Sequence, residues 1–402
     1  MAEHGTPNRG RLAIVGAGVI GMSCAWRAAR AGWRVDVIDP APASGASWVA
    51  GGMLAAVTEA WPGEEKLLEL DTASLRGWPE FAAELTDAAG APAGLRTEGT
   101  VVVAAAAGDR AELDNVAGYL ARLGREVDRL TARQLRALEP AIGPDVRGGL
   151  SVPGDFAVDN RALLAALRTA AEKAGARFVP VRVARVAGVG DAAAQPGPGV
   201  ELADGSWLAA DAVLVAAGAH SAGLHPTLNG LVRPVKGEIL RLRHRAGALP
   251  PPSRTVRAVV DGRPVYLVPR DGGRLVLGAT QYEAGFDTEP VVGGVRDLLR
   301  DAERVVPAIA EYALLETAAG LRPGSPDNLP LLGWLGPRAP GVLVATGHHR
   351  NGMLLAPVTA DTVLALLAGA PVPEPAASAD PARLFRPGGE RAQNAATEPV
   401  RR

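Results

Sequence analysis

The sequence predicts an α/β (α+β) protein in which a Rossmann-like core is interleaved with a mainly antiparallel β region. Residues 11–39, RLAIVGAGVIGMSCAWRAARAGWRVDVID, have the pattern of a strand, a helix and a second strand. Residues 233–279 instead read as successive strands separated by turn signals such as DGG. At 402 residues, the chain is also long enough for two domains.

The individual elements follow from the hydrophobic period and the residues that stop it. In the first unit we expect strands at 11–15 and 34–39 and a helix at 20–31, which Gly32 ends. Asp159 or Asn160 should cap a later helix that reaches Ala174. Further helices are predicted at 63–90, 110–123, 131–139 and 294–305, and strands at 99–106 and within 177–217.

Composition excludes several classes of function. A net charge of −1 argues against nucleic acid as the main partner, because phosphate binders carry a basic surplus. Cys24 is the only cysteine, so a disulfide framework and a cysteine metal site are excluded. Neither a signal peptide nor an apolar run of about 20 residues is present, which predicts a cytoplasmic protein with no membrane partner.

The spacing of Gly16, Gly18 and Gly21 matches the G-x-G-x-x-G fingerprint of a dinucleotide site. The first glycine permits a tight turn, the second lets a pyrophosphate approach the backbone, and the third lets helix and strand pack closely. Asp39 ends the second strand, where an acid can accept a hydrogen bond from a ribose hydroxyl and disfavours a 2′-phosphate.

Two later segments favour FAD over NAD as the dinucleotide. The runs ADAVLVAAGAHS and GVLVATGHHRNG are buried strands that end in small residues, which suits backbone passing a flat ring system. A helix that begins near Gly352 would direct its positive end at a reduced flavin. The alternative is a polar turn that merely leads into a packed helix.

Seven blocks of the chain resemble the D-amino-acid-oxidase-like family of FAD-dependent oxidoreductases, in particular its glycine-oxidising members. They are GAGVIG, AGGML, PVKGE, YLVPR, GRLVLGAT, GLRPGSPDNLPLLG and GHHRNGMLLAP. The resemblance implies noncovalent FAD in a domain made of residues 11–95, 152–230 and 319–370. It implies a substrate-binding domain made of 96–151 and 231–318, followed by a mostly flexible tail at 371–402.

The resemblance also implies the residues around the cofactor and the substrate. Those around FAD are Gly16, Gly18, Val19, Ile20, Gly21, Asp39, Pro40, Ala46, Ser47, Gly51, Gly52, Met53, Val183, His348, His349, Arg350, Asn351, Gly352, Met353 and Leu354. The residues implied around the substrate are Arg322, Tyr266, Arg350 and Met53, of which Arg322 would hold a carboxylate. A structural salt bridge for either arginine and a core position for Tyr266 are the alternatives.

The implied reaction is the oxidative deamination of glycine or another small amine by hydride transfer to flavin, with dioxygen as the final acceptor. No protein side chain is assigned as a catalytic base and no metal site is expected. The imine would feed thiazole formation in thiamine biosynthesis, so thiazole-synthesis enzymes and a homo-oligomer are the expected partners. A D-amino-acid or sarcosine oxidase or dehydrogenase of the same fold, and a non-catalytic FAD-bound protein, remain as alternatives.

Three positions depart from the family pattern. Pro264 and Gln281 stand where a histidine and a methionine are expected, and His220 replaces a tryptophan. The departures leave the expected flavin site intact and bear on which small amine is preferred.

Overall fold

The structure, a computed structural model, describes residues 9–125, 127–191 and 197–385. Its first large sheet has six strands, in the spatial order Leu331–Trp334, Val342–Thr346, Ala212–Val215, Arg11–Val15, Arg34–Ile38 and Arg177–Val179. All neighbours are parallel except Leu331–Trp334 and Val342–Thr346. The Rossmann-like core predicted from the sequence is therefore confirmed.

The register of this sheet determines where the chain can bind a ligand. Leu12 pairs with Val35 on one side and with Ala212 on the other, which places strand Arg11–Val15 at the centre. The residues that follow four parallel strands, Gly16, Asp39, Ala216 and Gly347, thus meet at one edge of the sheet. Ligands of open α/β sheets bind at this carboxyl edge.

One face of the six-stranded sheet is covered by four helices, which are Val19–Arg30, Glu65–Ala89, Asn160–Lys173 and Ala356–Leu367. Trp26, Trp78 and Phe81 are fully buried between them, and the ring centroids of Phe81 lie 5.5 and 5.4 Å from those of the two tryptophans. A small antiparallel sheet covers the other face, with strands Val183–Ala187, Gly199–Leu202 and Trp207–Ala209.

The second large sheet has eight strands and its own apolar core. In spatial order they are Ala313–Gly324, Arg233–Arg243, Arg274–Gly278, Arg263–Arg270, Thr255–Val260, Thr100–Ala104, Gly148–Val152 and Asp128–Thr131. Every pair is antiparallel except Thr255–Val260 with Thr100–Ala104. This confirms the mainly antiparallel β region.

The remaining elements are short or peripheral. A three-stranded sheet, Met53–Leu54, Phe156–Val158 and Leu95–Arg96, lies where the chain passes between the two large sheets. The other α-helices are Ala46–Val49, Ala107–Arg122, Ala132–Leu138, Val292–Val305 and Glu374–Ala377. The 3-10 helices are Gly218–Leu224, Pro226–Leu228, Asp271–Gly273, Pro307–Glu311, Gly336–Arg338 and Pro381–Leu384.

Helix boundaries differ from the predicted ones where turns precede a helix. The helix expected near Gly352 begins at Ala356. Residues 352–355 form a turn before it, and Pro357, which lacks an N–H, suits the first helical turn. Asp159 is the cap of helix Asn160–Lys173, since its carboxylate accepts the N–H groups of Arg161 and Ala162 at 3.0 and 3.2 Å.

The structure differs from the predicted domain boundaries at two places, near residue 319 and after residue 370. The other boundaries stay a prediction. Strand Ala313–Gly324 belongs wholly to the eight-stranded sheet and crosses the boundary drawn between 318 and 319. Residues 371–385, expected to be part of a flexible tail, contain two short helices and bury Ala376 and Ala379. Residues 386–402 of that tail lie outside the described residues.

Among the described residues, the helices are all too short or too polar to cross a lipid bilayer.

Candidate active site

A cavity of 2080 Å³ extends from the carboxyl edge of the six-stranded sheet to the eight-stranded sheet. It brings together most of the residues expected around cofactor and substrate. Those that line it are Gly16, Gly18, Val19, Ile20, Asp39, Pro40, Ala46, Ser47, Gly51, Gly52, Met53, Val183, Tyr266, Arg322, His348, His349, Arg350, Gly352 and Met353.

The first end of the cavity is built from backbone. Gly16 has a φ of +107°, and a Cβ there would lie 2.5 Å from the carbonyl oxygen of Ala216. A Cβ on Gly21 would lie 1.9 Å from the carbonyl oxygen of Gly16, so this glycine allows helix Val19–Arg30 to pack on its strand. Gly21 itself does not line the cavity. Both constraints agree with the roles expected for a dinucleotide fingerprint.

Asp39 supplies the carboxylate at this end. One of its oxygens accepts the N–H of Ala17 at 2.7 Å and the other accepts that of Ala41 at 2.8 Å. A carboxylate has about four acceptor positions, so two remain for hydroxyl groups of a ligand. Ser47 Oγ accepts the N–H of Val19 at 3.0 Å and thereby joins the small-residue segment to the start of the helix.

Tyr266 lies at the other end, where the cavity reaches the eight-stranded sheet. Its ring packs between two glycines: a Cβ on Gly51 would lie 2.7 Å from the ring, and one on Gly278 would lie 2.5 Å from it. Burial raises the pKa of the Tyr266 phenol, and the charge of Arg322 only partly opposes this. The phenol is therefore a protonated hydrogen-bond donor at neutral pH.

Arg322 adjoins Tyr266 and lacks an acidic partner. Its Nη1 donates to the carbonyl oxygens of Lys236 at 3.3 Å and Thr280 at 3.2 Å. Within the described residues, no carboxylate lies within ion-pairing distance of its guanidinium, which excludes the structural salt bridge there. Burial lowers the pKa of Arg322, partly offset by Tyr266 and Glu59. A carboxylate ligand would supply the missing counter-charge.

Arg350 is in a different situation, because the internal pairing considered as its alternative is present. Its guanidinium pairs with the carboxylate of Glu59, contacts Glu64 at 3.4 Å, and donates to the Glu59 carbonyl oxygen at 3.0 Å. Arg257 also pairs with Glu59. Burial would raise the pKa of Glu59, but Arg257 and Arg350 outweigh it and the pKa is lowered.

Glu59, Glu64 and Arg257 are cavity residues that were not predicted from the sequence. The position of Arg257 beside Tyr266 could have been predicted from the hairpin turn in the sequence. Residues Asp261 and Gly262 form a two-residue turn between strands Thr255–Val260 and Arg263–Arg270, and this turn places Arg257 directly opposite Tyr266. Glu59 follows Met53 in an irregular loop, for which the sequence pattern carries no such signal.

The two adjacent histidines have separate surroundings. His348 Nε2 lies 3.0 Å from Thr359 Oγ1, whereas His349 has a φ of +47° and donates its N–H to the Pro323 carbonyl oxygen at 2.8 Å. Burial lowers the pKa of each imidazole to about 3, with the charges of Arg350 and Arg322 adding to the shift at His349. Both are therefore neutral at physiological pH.

Asn351 and Leu354, expected to contact the flavin, do not line the cavity. The Asn351 amide donates to buried Asp71 at 3.0 Å, and the Leu354 carbonyl oxygen accepts from Ser74 and Trp78 at 2.7 and 2.9 Å. Both residues thus anchor the turn of residues 348–355 to helix Glu65–Ala89. Their contact with the flavin stays a prediction.

The three positions that depart from the family pattern, Pro264, Gln281 and His220, all line the cavity. His220 stacks on Phe286 with ring centroids 4.9 Å apart. These residues therefore shape the cavity without taking part in the arginine and tyrosine contacts.

Comparisons with known proteins confirm the resemblance. The family described as FAD dependent oxidoreductase matches residues 11–366. Glycine oxidase of Geobacillus kaustophilus is 34% identical over 352 residues, which are 87% of this chain and 90% of that protein. Its crystal structure matches with a TM-score of 0.83 and 33% identity, covering 92% of this chain and 98% of that one. The bifunctional protein ThiO/ThiG of Synechocystis sp. is 33% identical over 365 residues, 88% of this chain but 51% of that protein.

Proposed function

The chain belongs to the FAD dependent oxidoreductase family, and from this premise we propose that it is an oxidase of glycine. The reaction converts glycine, water and dioxygen into glyoxylate, ammonia and hydrogen peroxide. The relative from Geobacillus kaustophilus with this name matches nearly the whole described chain. The observation that carries the proposal is the half-buried guanidinium of Arg322, which has no acidic partner among the described residues and adjoins a protonated tyrosine.

The residues present fit FAD, which supplies the hydride acceptor when it is bound. Because the turn at Gly16 carries no side chain, a pyrophosphate can approach its backbone closely. Asp39 retains acceptor positions for a ribose hydroxyl. Gly51 and Met53 would flank the ring system on the substrate side, with His348 and Met353 along it. The single cysteine, Cys24, is buried in helix Val19–Arg30, which favours noncovalent attachment.

Arg322 and Tyr266 would orient the substrate. The guanidinium fork and the phenol together can hold a carboxylate through charge-assisted hydrogen bonds. Such fixation aligns the Cα–H bond with the acceptor and replaces a bimolecular encounter by a positioned one. The ammonium group of the substrate must lose a proton before its Cα releases a hydride. With a pKa lowered to about 3, His348 and His349 are too weakly basic to accept that proton, so it passes to solvent.

Small substrates are favoured because the carboxylate end is crowded. Tyr266 is packed against Gly51, and the Glu59–Arg350 pair occupies the side of the cavity next to Arg322. Arg350 therefore contacts substrate only as an auxiliary group, if its pair with Glu59 rearranges.

Thiamine biosynthesis is the proposed setting, with the imine product used in thiazole formation. The fusion of a relative to ThiG in one bifunctional protein supports a thiazole-synthesis partner. A pull-down from cells that express the chain, probed for such an enzyme, tests this part of the proposal separately.

The test of the activity is anaerobic mixing of the yellow protein with glycine, sarcosine and D-alanine in turn. Glycine should bleach the flavin absorbance, and readmission of air should restore it with one hydrogen peroxide formed per glycine consumed. Faster bleaching by sarcosine or D-alanine would assign the chain to another amine oxidase of this fold. Bleaching by glycine without peroxide formation in air would indicate a dehydrogenase, and the absence of bleaching by every amine would indicate a non-catalytic protein.

A further inference from the structure

A second cavity, of 340 Å³, lies at the seam between the eight-stranded sheet and helix Asn160–Lys173. It shares none of its lining residues with the large cavity. Four arginines and two carboxylates line it: Arg161, Arg241, Arg270, Arg274, Asp159 and Glu316. The proposed oxidation of glycine uses none of them.

Sheet register explains why so many arginines meet there. Arg270 is paired with Arg274, and Arg274 is also paired with Arg243 on the next strand. Arg241 lies two residues from Arg243 and hence projects from the same face of the sheet. Arg161 joins them from the first turn of the helix above.

The carboxylates do not balance the guanidinium groups. Arg161 contacts Glu316 at 2.7 Å, but Arg241 lies 3.9 Å from Glu316 and Arg270 lies 3.8 Å from Asp159. Four positive and two negative side chains leave a surplus of two positive charges. The cavity therefore carries a net charge that no described side chain lining it neutralises.

Buried donors in this cavity are also unsatisfied. The Nε atoms of Arg161, Arg241 and Arg270 are inaccessible to solvent and lack a hydrogen-bond partner, and Arg270 is only 5% exposed. Burial lowers the pKa of Arg270 to about 10 and, together with the charge of Arg161, lowers the pKa of Arg241. The Nε atoms are too deep for a ligand to reach, so the support for an anion comes from the charge surplus: burial makes uncompensated positive charge unfavourable, and an anion in the cavity would supply counter-charge.

We propose that this cavity binds the phosphate group of a small molecule. Guanidinium forks match phosphate oxygens in bidentate geometry. A phosphate monoester carries a charge of about −1.5 to −2 near neutral pH, which corresponds to the surplus of the cavity. The ligand is either free phosphate or the monoester of a metabolite.

Two hydrogen bonds to the backbone connect this cavity to the large one. Arg270 donates to the carbonyl oxygen of Gly51 at 2.6 Å, and Arg241 donates to that of Trp48 at 3.1 Å. Both carbonyls belong to the small-residue segment that lines the large cavity. The anion site is thus placed directly behind that segment.

The experiment is calorimetric titration of the FAD-saturated enzyme with inorganic phosphate and, separately, with methyl phosphate, at constant ionic strength set by chloride. Saturable binding of one phosphate group per chain is expected. Arg274→Ala and Arg161→Ala should each weaken it by about tenfold or more, the loss expected for a charged hydrogen bond. Tighter binding of methyl phosphate would identify a metabolite ester as the source, and tighter binding of inorganic phosphate would identify the free anion.

Arg168→Ala is the matched control, because Arg168 lies on the same helix but pairs with Glu172 at the surface. It should bind phosphate like the unaltered protein. The Arg274 side chain donates to the Asp271 carbonyl oxygen at 3.1 Å and forms no ion pair among the described residues, so its variant should fold even where the loss of the Arg161–Glu316 pair impairs folding. The proposal would be overturned if phosphate showed no saturable binding, or if Arg274→Ala bound phosphate as tightly as the unaltered protein. It would also be overturned if chloride displaced phosphate completely.

Discussion

The two ends of the large cavity differ in the groups that form them: mainly backbone at one end and mainly polar and charged side chains at the other. At the edge of the six-stranded sheet, the contacts come from backbone N–H groups, glycines, one hydroxyl and one carboxylate within residues 16–47, together with the Ala216 carbonyl that Gly16 approaches. At the eight-stranded sheet they come from Tyr266, Arg322, Glu59 and Arg350, which are far apart in sequence. The first end is specified by local sequence and the second by charges that only the assembled fold brings together.

This difference indicates how each end should respond to mutation. A backbone-built site fails when a side chain intrudes, because the close approach of helix and strand is lost. A charge-built site retains its shape when one charged group is removed but loses the ability to orient a ligand. Substitutions at the two ends should therefore separate cofactor binding from turnover.

The largest expected effect is at the charged end. Arg322→Ala should lower kcat/KM for glycine by about a hundredfold or more, because the carboxylate would no longer be positioned, while FAD stays bound. Arg322→Lys should rescue poorly, since an ammonium cannot reproduce the two-pronged contact. Arg350→Ala, whose guanidinium already pairs with Glu59, should show a much smaller loss.

Steady-state peroxide formation and flavin content, measured on the same samples, check this prediction. A yellow Arg322→Ala protein with near-normal glycine oxidation would refute the assignment. A flavin-depleted, poorly folded variant would instead show that Arg322 is structural.

The next effect tests the backbone-built end. A methyl group at Gly21 would lie 1.9 Å from the carbonyl oxygen of Gly16, so Gly21→Ala should separate helix from strand. We expect a loss of about 3 kcal/mol of stability, the upper part of the range for overpacking, together with loss of bound FAD. Gly77→Ala, within helix Glu65–Ala89 and with open space around it, is the control and should be neutral or stabilising. Thermal unfolding and the flavin-to-protein absorbance ratio measure both.

Asp39→Ala should have an intermediate effect at the same end. Removal of a charged acceptor weakens FAD binding by ~1.5–3 kcal/mol, with turnover near normal in saturating FAD. Asp39→Asn, which keeps one acceptor for the Ala17 or Ala41 N–H, should lose less. Fluorescence titration of the apoprotein with FAD provides the affinities, and an unchanged affinity in Asp39→Ala would place the carboxylate away from the ribose.

The smallest expected effect concerns the buried histidine between the two ends. Burial lowers the pKa of His348 from 6.5 to about 3, so between these values the unfolded chain binds a proton that the folded chain does not. The free energy of unfolding should therefore fall as pH drops below 6.5. His348→Asn should remove about 1 kcal/mol of this dependence between pH 7.5 and 5.5. Denaturant titrations in excess FAD at several pH values check this, and parallel curves for the two proteins would contradict it.

The sequence pattern was sufficient where a contact depends on local geometry. The glycine spacing, the acid at the end of the second strand and the alternation of residues 233–279 predicted both sheets and the backbone-built end. The sequence pattern predicts a helix start near Gly352, four residues before the observed start at Ala356. Turns and a helix have the same apolar pattern in the sequence, and only their hydrogen bonds distinguish them.

Tertiary structure alone decided the partners of the charged groups. Arg322 follows a small, apolar stretch and Arg350 follows two histidines, but neither pattern indicates a partner. Arg350 pairs with Glu59, whereas Arg322 donates to carbonyl oxygens beside Tyr266 and forms no ion pair within the described part of the chain. Likewise, Asn351 and Leu354 face helix Glu65–Ala89 although their neighbours line the cavity. Backbone conformation depends on a residue and its near neighbours, and so it can be predicted from the sequence. Charge pairing depends on distances between residues hundreds of positions apart, which are defined only when the sheets have packed.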